Sequence, residues 1–192
     1  MEAGGSAEIR LSPANILGPY EVVLSGGRIL LHDSAPAEKS QRPPRPLAEA
    51  AVPAGIRRAL VILFPAPAGE PMPYRALVTE HDVQGFPMGV YRVINLSSHP
   101  VRGAVGRKVV EARPGKTAGL EPDGEPGSVQ PVRFEFHHGG RWNLLTETRA
   151  AVRKDRRWLM CIYQDPATGR MNIRTIPDRS IHRQPAASTP SP

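Results

Sequence analysis

The side chains able to do chemistry in this chain are few and scattered. Glu80-His81-Asp82 sets a carboxylate on each side of an imidazole, the residue types from which metal ligands and general acids or bases are drawn. Spacing identifies no second His-bearing partner, so two readings stay open: a metal or acid/base centre, and a solvated strand end. His137 and His138 are adjacent. On an extended chain neighbouring side chains point to opposite faces, so these two do not readily chelate one ion. Cys161 is the single cysteine and lies inside the apolar run Trp158-Leu-Met-Cys-Ile-Tyr163. A reactive thiolate needs electropositive, partly exposed surroundings, and this thiol reads instead as an inert part of a core. Glycine-rich phosphate loops, the Gly-x-Ser-x-Gly elbow, His-Glu-x-x-His and Cys-x-x-Cys are all missing. The reading is therefore no catalytic residue, no cofactor and no metal, with one reservation: a site assembled from distant loops leaves no local motif.

Charge supplies the other candidate. The formal net charge is +7, and its distribution is uneven. Residues 1–128 hold 14 basic and 13 acidic side chains, whereas residues 129–192 hold 11 and 5. Arg133, Arg141, Arg149, Arg170 and Arg174 fall at outward positions of the strands expected there, and Arg153, Lys154, Arg156 and Arg157 at outward or turn positions. Such a face attracts polyanions: nucleic acid, acidic polysaccharide or lipid head groups. The competing reading is a solubilising surface that also protects edge strands. Trp142 and Trp158 are placed on apolar strand faces, as core rather than as stacking platforms.

These residues must be held by many short elements. The 192 residues include 22 Pro and 18 Gly, which interrupts helices and multiplies turns. One cysteine excludes a disulfide scaffold, and no run approaches the ~18 apolar residues of a membrane-spanning helix. Residues 1–10 show no basic stretch followed by an apolar one, and so no secretory leader as written. Tyr20–Leu24 and Arg28–Leu31 read as a hairpin around Gly26-Gly27. Residues 35–53 read as a Pro-rich loop unable to join a ladder, with a short helix between Leu47 and Leu60. Ala59–Phe64, continuously apolar, reads as a central strand buried on both faces.

Strands follow at Tyr74–Thr79 and Val90–Asn95, then a hairpin around Gly106. A second long loop spans 114–131. Three consecutive hairpins form a C-terminal meander through Val132–Phe136, Arg141–Leu144, Ala150–Val152, Arg157–Tyr163 and Arg170–Ile176. The expected fold is all-β, an antiparallel β-sandwich, immunoglobulin-like or related, over residues 17–176, with a flexible segment 1–16 and a disordered tail 177–192. Its core is expected to hold Leu60, Ile62, Phe64, Leu77, Val93, Phe134, Phe136, Trp142, Leu144, Trp158, Met160 and Ile162.

The segment Gly85-Phe-Pro-Met-Gly-Val-Tyr-Arg-Val-Ile-Asn-Leu-Ser97, followed by Arg113-Pro114-Gly115 and an Arg-rich hairpin ending at Asp165-Pro-Ala-Thr-Gly-Arg170, resembles uncharacterised bacterial β-sandwich proteins. The likeness covers Leu60 to Asp178. It implies an exported envelope component and brings no activity with it. The segment also has a physical reading: Gly89 permits a turn, Pro87 fixes entry to it, and Asn95-Leu96-Ser97 caps a strand end through side-chain hydrogen bonds. The functional expectation is a non-catalytic binding or assembly module, its partner another envelope protein. The alternatives are a polyanion binder using the basic meander and a metal-dependent hydrolase without a familiar motif.

Overall fold

The computed structural model describes residues 8–34 and 44–178, so the expectations for the extreme ends and for 35–43 lie outside the described residues. It is all-β. The strands are β1 (Arg28–His32), β2 (Pro46–Ala51), β3 (Ala59–Pro65), β4 (Tyr74–Glu80), β5 (Tyr91–Asn95), β6 (Val101–Val105), β7 (Lys108–Ala112), β8 (Thr117–Leu120), β9 (Val129–His138), β10 (Arg141–Ala151), β11 (Arg157–Gln164) and β12 (Met171–Asp178). Two four-stranded sheets, β10-β9-β6-β7 and β12-β11-β5-β8, form a sandwich. Every pairing is antiparallel except β5 with β11.

Alternation along the strands builds two cores from one sheet. Val93 on β5 and Met160 and Ile162 on β11 point between the sheets, where they meet Val101, Val105, Val132 and Phe134. Their neighbours Ile94, Leu159 and Cys161 point the other way and are covered by Phe86 and by Leu60, Ile62 and Leu77 of the β3–β4 hairpin. The hairpin is thus a third layer over the second sheet, rather than a central strand pair, and β3 is only partly buried along its length. Where Phe134 lies over Gly103, directly opposite it on β6, a Cβ on Gly103 would stand 2.2 Å from the ring. Only glycine admits the ring there.

Several local expectations are corrected. The loop reading of 35–53 fails from Pro46 onward: β2 pairs with β1, and its Ala48 and Ala50 are buried. Pro46 is accommodated because it opens the strand, at a register shift, where no ladder donor is missed. No helix forms between Leu47 and Leu60. Tyr20–Leu24 is not a strand of the described fold; the glycine turn forms, and β1 takes β2 as its partner. The meander's outer hairpins, β9–β10 and β11–β12, are present, while the turn through Arg153–Arg156 carries the chain from one sheet to the other.

Two members of the expected core face outward. A bulge at Leu145 puts Leu145 into the core and leaves Trp142 and Leu144 on the outer side, opposite His137 and Glu135. Trp158 is half-buried against the inter-sheet core, edge-on to Tyr91. Val93, Phe134, Met160 and Ile162 are buried as expected.

Candidate functional site

Two arginine–aromatic clusters concentrate the polar chemistry of the fold. The first lies on the outer face of the sheet β10-β9-β6-β7. Residues whose neighbours point into the core must point out, so Arg102 and Ala104 of β6, Val109 and Glu111 of β7, Arg133, Glu135 and His137 of β9, and Trp142, Leu144 and Glu147 of β10 share that face. Arg102 Nε donates to Glu135 Oε2 at 2.5 Å, and its guanidinium lies 4.4 Å above the Trp142 ring. His137 meets the same indole edge-on at 5.3 Å.

Arg133 approaches Glu135 from the other side, Nη2 to Oε1 at 2.8 Å, and spends its second Nη on Glu147 at 3.0 Å. Roofed by two guanidiniums, Glu135 is buried although it points outward. The hydrogen bonds from Arg102 and then Arg133 hold its carboxyl below the ordinary glutamate value, and Glu135 in turn raises Arg133. Beside this ordered ladder, Leu144 keeps 54% and Val109 66% of their surface in solvent.

The second cluster is buried. Phe86, fully enclosed, sits between the guanidiniums of Arg92 and Arg157, 4.3 and 4.6 Å from its ring centre. Arg92, on β5, donates to Thr79 Oγ1 and to the carbonyls of Glu80 and Gly85. Arg157, at the start of β11, donates from Nε to Asp178 Oδ2 at 2.6 Å, and from Nη1 to the carbonyls of Asp82 and Phe86. His81 Nε2 lies 2.8 Å from the same Asp178 oxygen.

The turn through residues 80–86 is therefore held by two cations that use its backbone carbonyls. Burial, and then the neighbouring Arg157, lower the Arg92 pKa. Within the loop, Gly85 N–H donates to Asp82 Oδ1 and lowers that carboxyl, while the hydrogen bond with Asp82 raises Glu80. What the arrangement does chemically is to fix a loop.

The candidates read from the sequence are distributed between these places. Glu80-His81-Asp82 belongs to the buried cluster, with His81 turned toward Asp178 and Arg157. Arg157, expected at an outward or turn position, is 1% exposed, because β11 starts inside the cluster. Arg133 and Arg149 share the outer face. Arg141 opens β10 at the hairpin, while Arg170 and Arg174 belong to the other sheet's last hairpin, Arg174 reaching back to the Pro13 carbonyl at 3.1 Å. The five arginines are therefore not gathered on one sheet face.

His137 and His138 do point to opposite sides: one ring meets Trp142, the other His99 at 4.8 Å. Burial pushes the Cys161 thiol up to about 11. Asn95, fully buried, accepts from Ser97 and donates to the carbonyls of His99 and Ala112, forming the cap expected of Asn95-Leu96-Ser97. Sequence reasoning missed Arg92, Phe86 and Asp178. The signal for them was two arginines and an acid at strand ends next to an apolar Phe-Pro loop, a pattern that acquires meaning only once β5 and β11 are neighbours.

Among the described residues no three His, Cys, Asp or Glu side chains gather to hold a metal ion. Two open depressions of about 420 and 480 Å³ flank Lys154 at the loop end of the sandwich, one lined by residues 126–127 and 152–155, the other by Lys108 and residues 121–124. Both are open to solvent, and neither encloses a ligand as a small-molecule site does. Among the described residues no helix is long and apolar enough to cross a membrane. No protein-family model, no curated protein and no solved structure matches the chain.

Proposed function

We propose that the chain is a non-catalytic binding module that engages a protein partner through the outer face of β10-β9-β6-β7. The observation that carries this reading is the Arg102–Trp142 stack, held by Glu135 and flanked by exposed Leu144 and Val109. Arginine and tryptophan contribute most per residue at protein interfaces, and side chains ordered before binding lose little entropy on binding. The test is differential capture. Wild type, Leu144→Glu and Trp142→Ala are immobilised after their thermal transitions are shown to be close, and the proteins retained from the native host's extract are compared. A species retained by wild type and lost in both variants supports the reading; identical retention by all three overturns it.

A second reading rests on the exposure of Arg141, Arg149 and Arg170, which suits acidic polysaccharide or nucleic acid. It expects retention on heparin or duplex DNA that falls steeply with salt. It also expects loss of that retention in Arg141→Glu/Arg149→Glu, with Leu144→Glu binding normally. Failure to bind either polyanion at low salt removes it.

A further inference from the structure

The sequence Tyr20-Glu-Val-Val-Leu24 has the composition of a strand and has no ladder partner among the described residues. Val23 keeps 91% of its surface in solvent, and Tyr20, Val22 and Leu24 are exposed as well. Its direction is already set. Ser25 and Arg28 exchange both backbone hydrogen bonds, at 3.2 and 3.1 Å, around Gly26 and Gly27, whose φ values of 58 and 76° suit the tight hairpin turn that matches strand twist. The turn therefore directs residues 20–24 antiparallel to β1, on the edge that β2 leaves open.

Continued in this register beyond the Ser25–Arg28 bridge, the segment would set Val23 opposite Leu30, itself half-exposed, and Glu21 opposite His32. Because hydrogen-bonded and non-bonded pairs alternate, Val23 and Glu21 would then turn their N–H and C=O groups toward β1. Those of Tyr20, Val22 and Leu24 would point to the outer edge.

We propose that Tyr20–Leu24 is a dimerisation strand: it zips onto β1 and pairs, antiparallel and about a two-fold axis at Val22, with the same segment of a second copy. The segment is self-complementary in that register. Tyr20 lies opposite Leu24 of the second copy, Val22 opposite Val22, and Glu21, its one charged residue, opposite Val23, so no charge meets its own copy. A two-fold pairing also closes, whereas head-to-tail use of an open edge propagates into fibres. In the single chain the ladder on this edge stops at the Ser25–Arg28 bridge, because a short strand with one free edge gains little in water. Joining two such ribbons makes one continuous six-stranded sheet. This dimer is independent of what the outer face of the sandwich binds.

Sedimentation velocity on the full chain tests it. The expected result is a dimer formed by ~200 µM protein, as suits a strand-edge contact of small area. Val22→Pro removes an N–H that points away from β1, and Val22→Glu sets two carboxylates against each other at the axis. Both should be monomeric with an unchanged thermal transition. Val22→Cys should form an intermolecular disulfide under mild oxidation, the expected Cα separation of about 5.5 Å being within disulfide range, while wild type, whose Cys161 is buried, stays uncrosslinked. A wild type that remains monomeric overturns the proposal, even if it captures a different protein. So does a dimer that survives Val22→Glu, or a Val22→Cys variant that fails to crosslink.

Discussion

At Phe86 and at Trp142 an arginine guanidinium lies at nearly the same height over an aromatic ring, 4.3 and 4.6 Å in one case and 4.4 Å in the other, and a carboxylate fixes each arrangement. What differs is water. Around Phe86 the charges are sealed in, so each guanidinium must find its acceptors in loop carbonyls and Asp178, and the cluster can only hold the molecule together. Around Trp142 the arginines that roof Glu135 keep one side wet, the ion pairs are screened, and the ordered surface remains available to another molecule. The same pair of residue types is thus structural or recognitional according to what lies above it.

Removing one partner from each cluster separates the two roles most sharply. Asp178→Ala leaves Arg157 buried without its carboxylate and is expected to destabilise the fold by about 3–5 kcal/mol, read from urea denaturation midpoints. A loss below about 1 kcal/mol would mean that water reaches Arg157 and that the contrast with Trp142 is false. The intermediate case is the packing beneath the outer face. Gly103→Ala drives a methyl into the Phe134 ring and should cost about 1–3 kcal/mol by the same measurement.

Arg102→Ala, on the wet side, is expected to change stability by no more than about 1 kcal/mol, while abolishing partner capture. The smallest effect is in pH. Glu135 titrates lower in the folded chain than its ordinary 4.5, so its pairing stabilises the fold above that value, and the contribution is lost as pH falls below it toward the folded-state pKa. Wild type should therefore lose stability across that acid range more steeply than Glu135→Gln, and parallel curves would show that the roof of arginines is not felt by the carboxyl.

The sandwich and its hairpins were legible because alternation and glycine turns are local signals: Val132, Phe134 and Phe136 against Arg133 and Glu135 define one strand's two faces without reference to any other strand. Trp142 and Leu144 were misplaced for a reason equally local in origin. One extra residue, Leu145, flips the parity of β10, and no composition rule marks a bulge made of leucine. Pro46–Ala51 was hidden by its prolines, although only the first of its residues is one.

The buried cluster was beyond reach for a different reason. Arg157 looks like any strand-end arginine until Asp82 and Phe86 from one loop and Asp178 from the last strand are brought to it. The exposed pairing of Arg102 with Trp142 depends likewise on β6 and β10 each neighbouring β9.

The parallel pairing of β5 with β11 has a consequence for how the chain is made. Trp158 pairs with Tyr91, so β5 emerges during synthesis long before the strand that completes its sheet. Until then one of its edges is open, and Val93 and Ile94 lack their β11 neighbours Met160 and Cys161. The sheet β10-β9-β6-β7, whose pairs are antiparallel and whose last strand ends before β11 begins, has no such wait. β11 then supplies Met160 and Ile162 to one core and Leu159 and Cys161 to the other in a single event. A non-local closure of this kind is slow compared with hairpin formation. A nascent chain cut short before β11 keeps both cores unsealed, and so presents to the cell's proteases a substrate wholly unlike the finished protein.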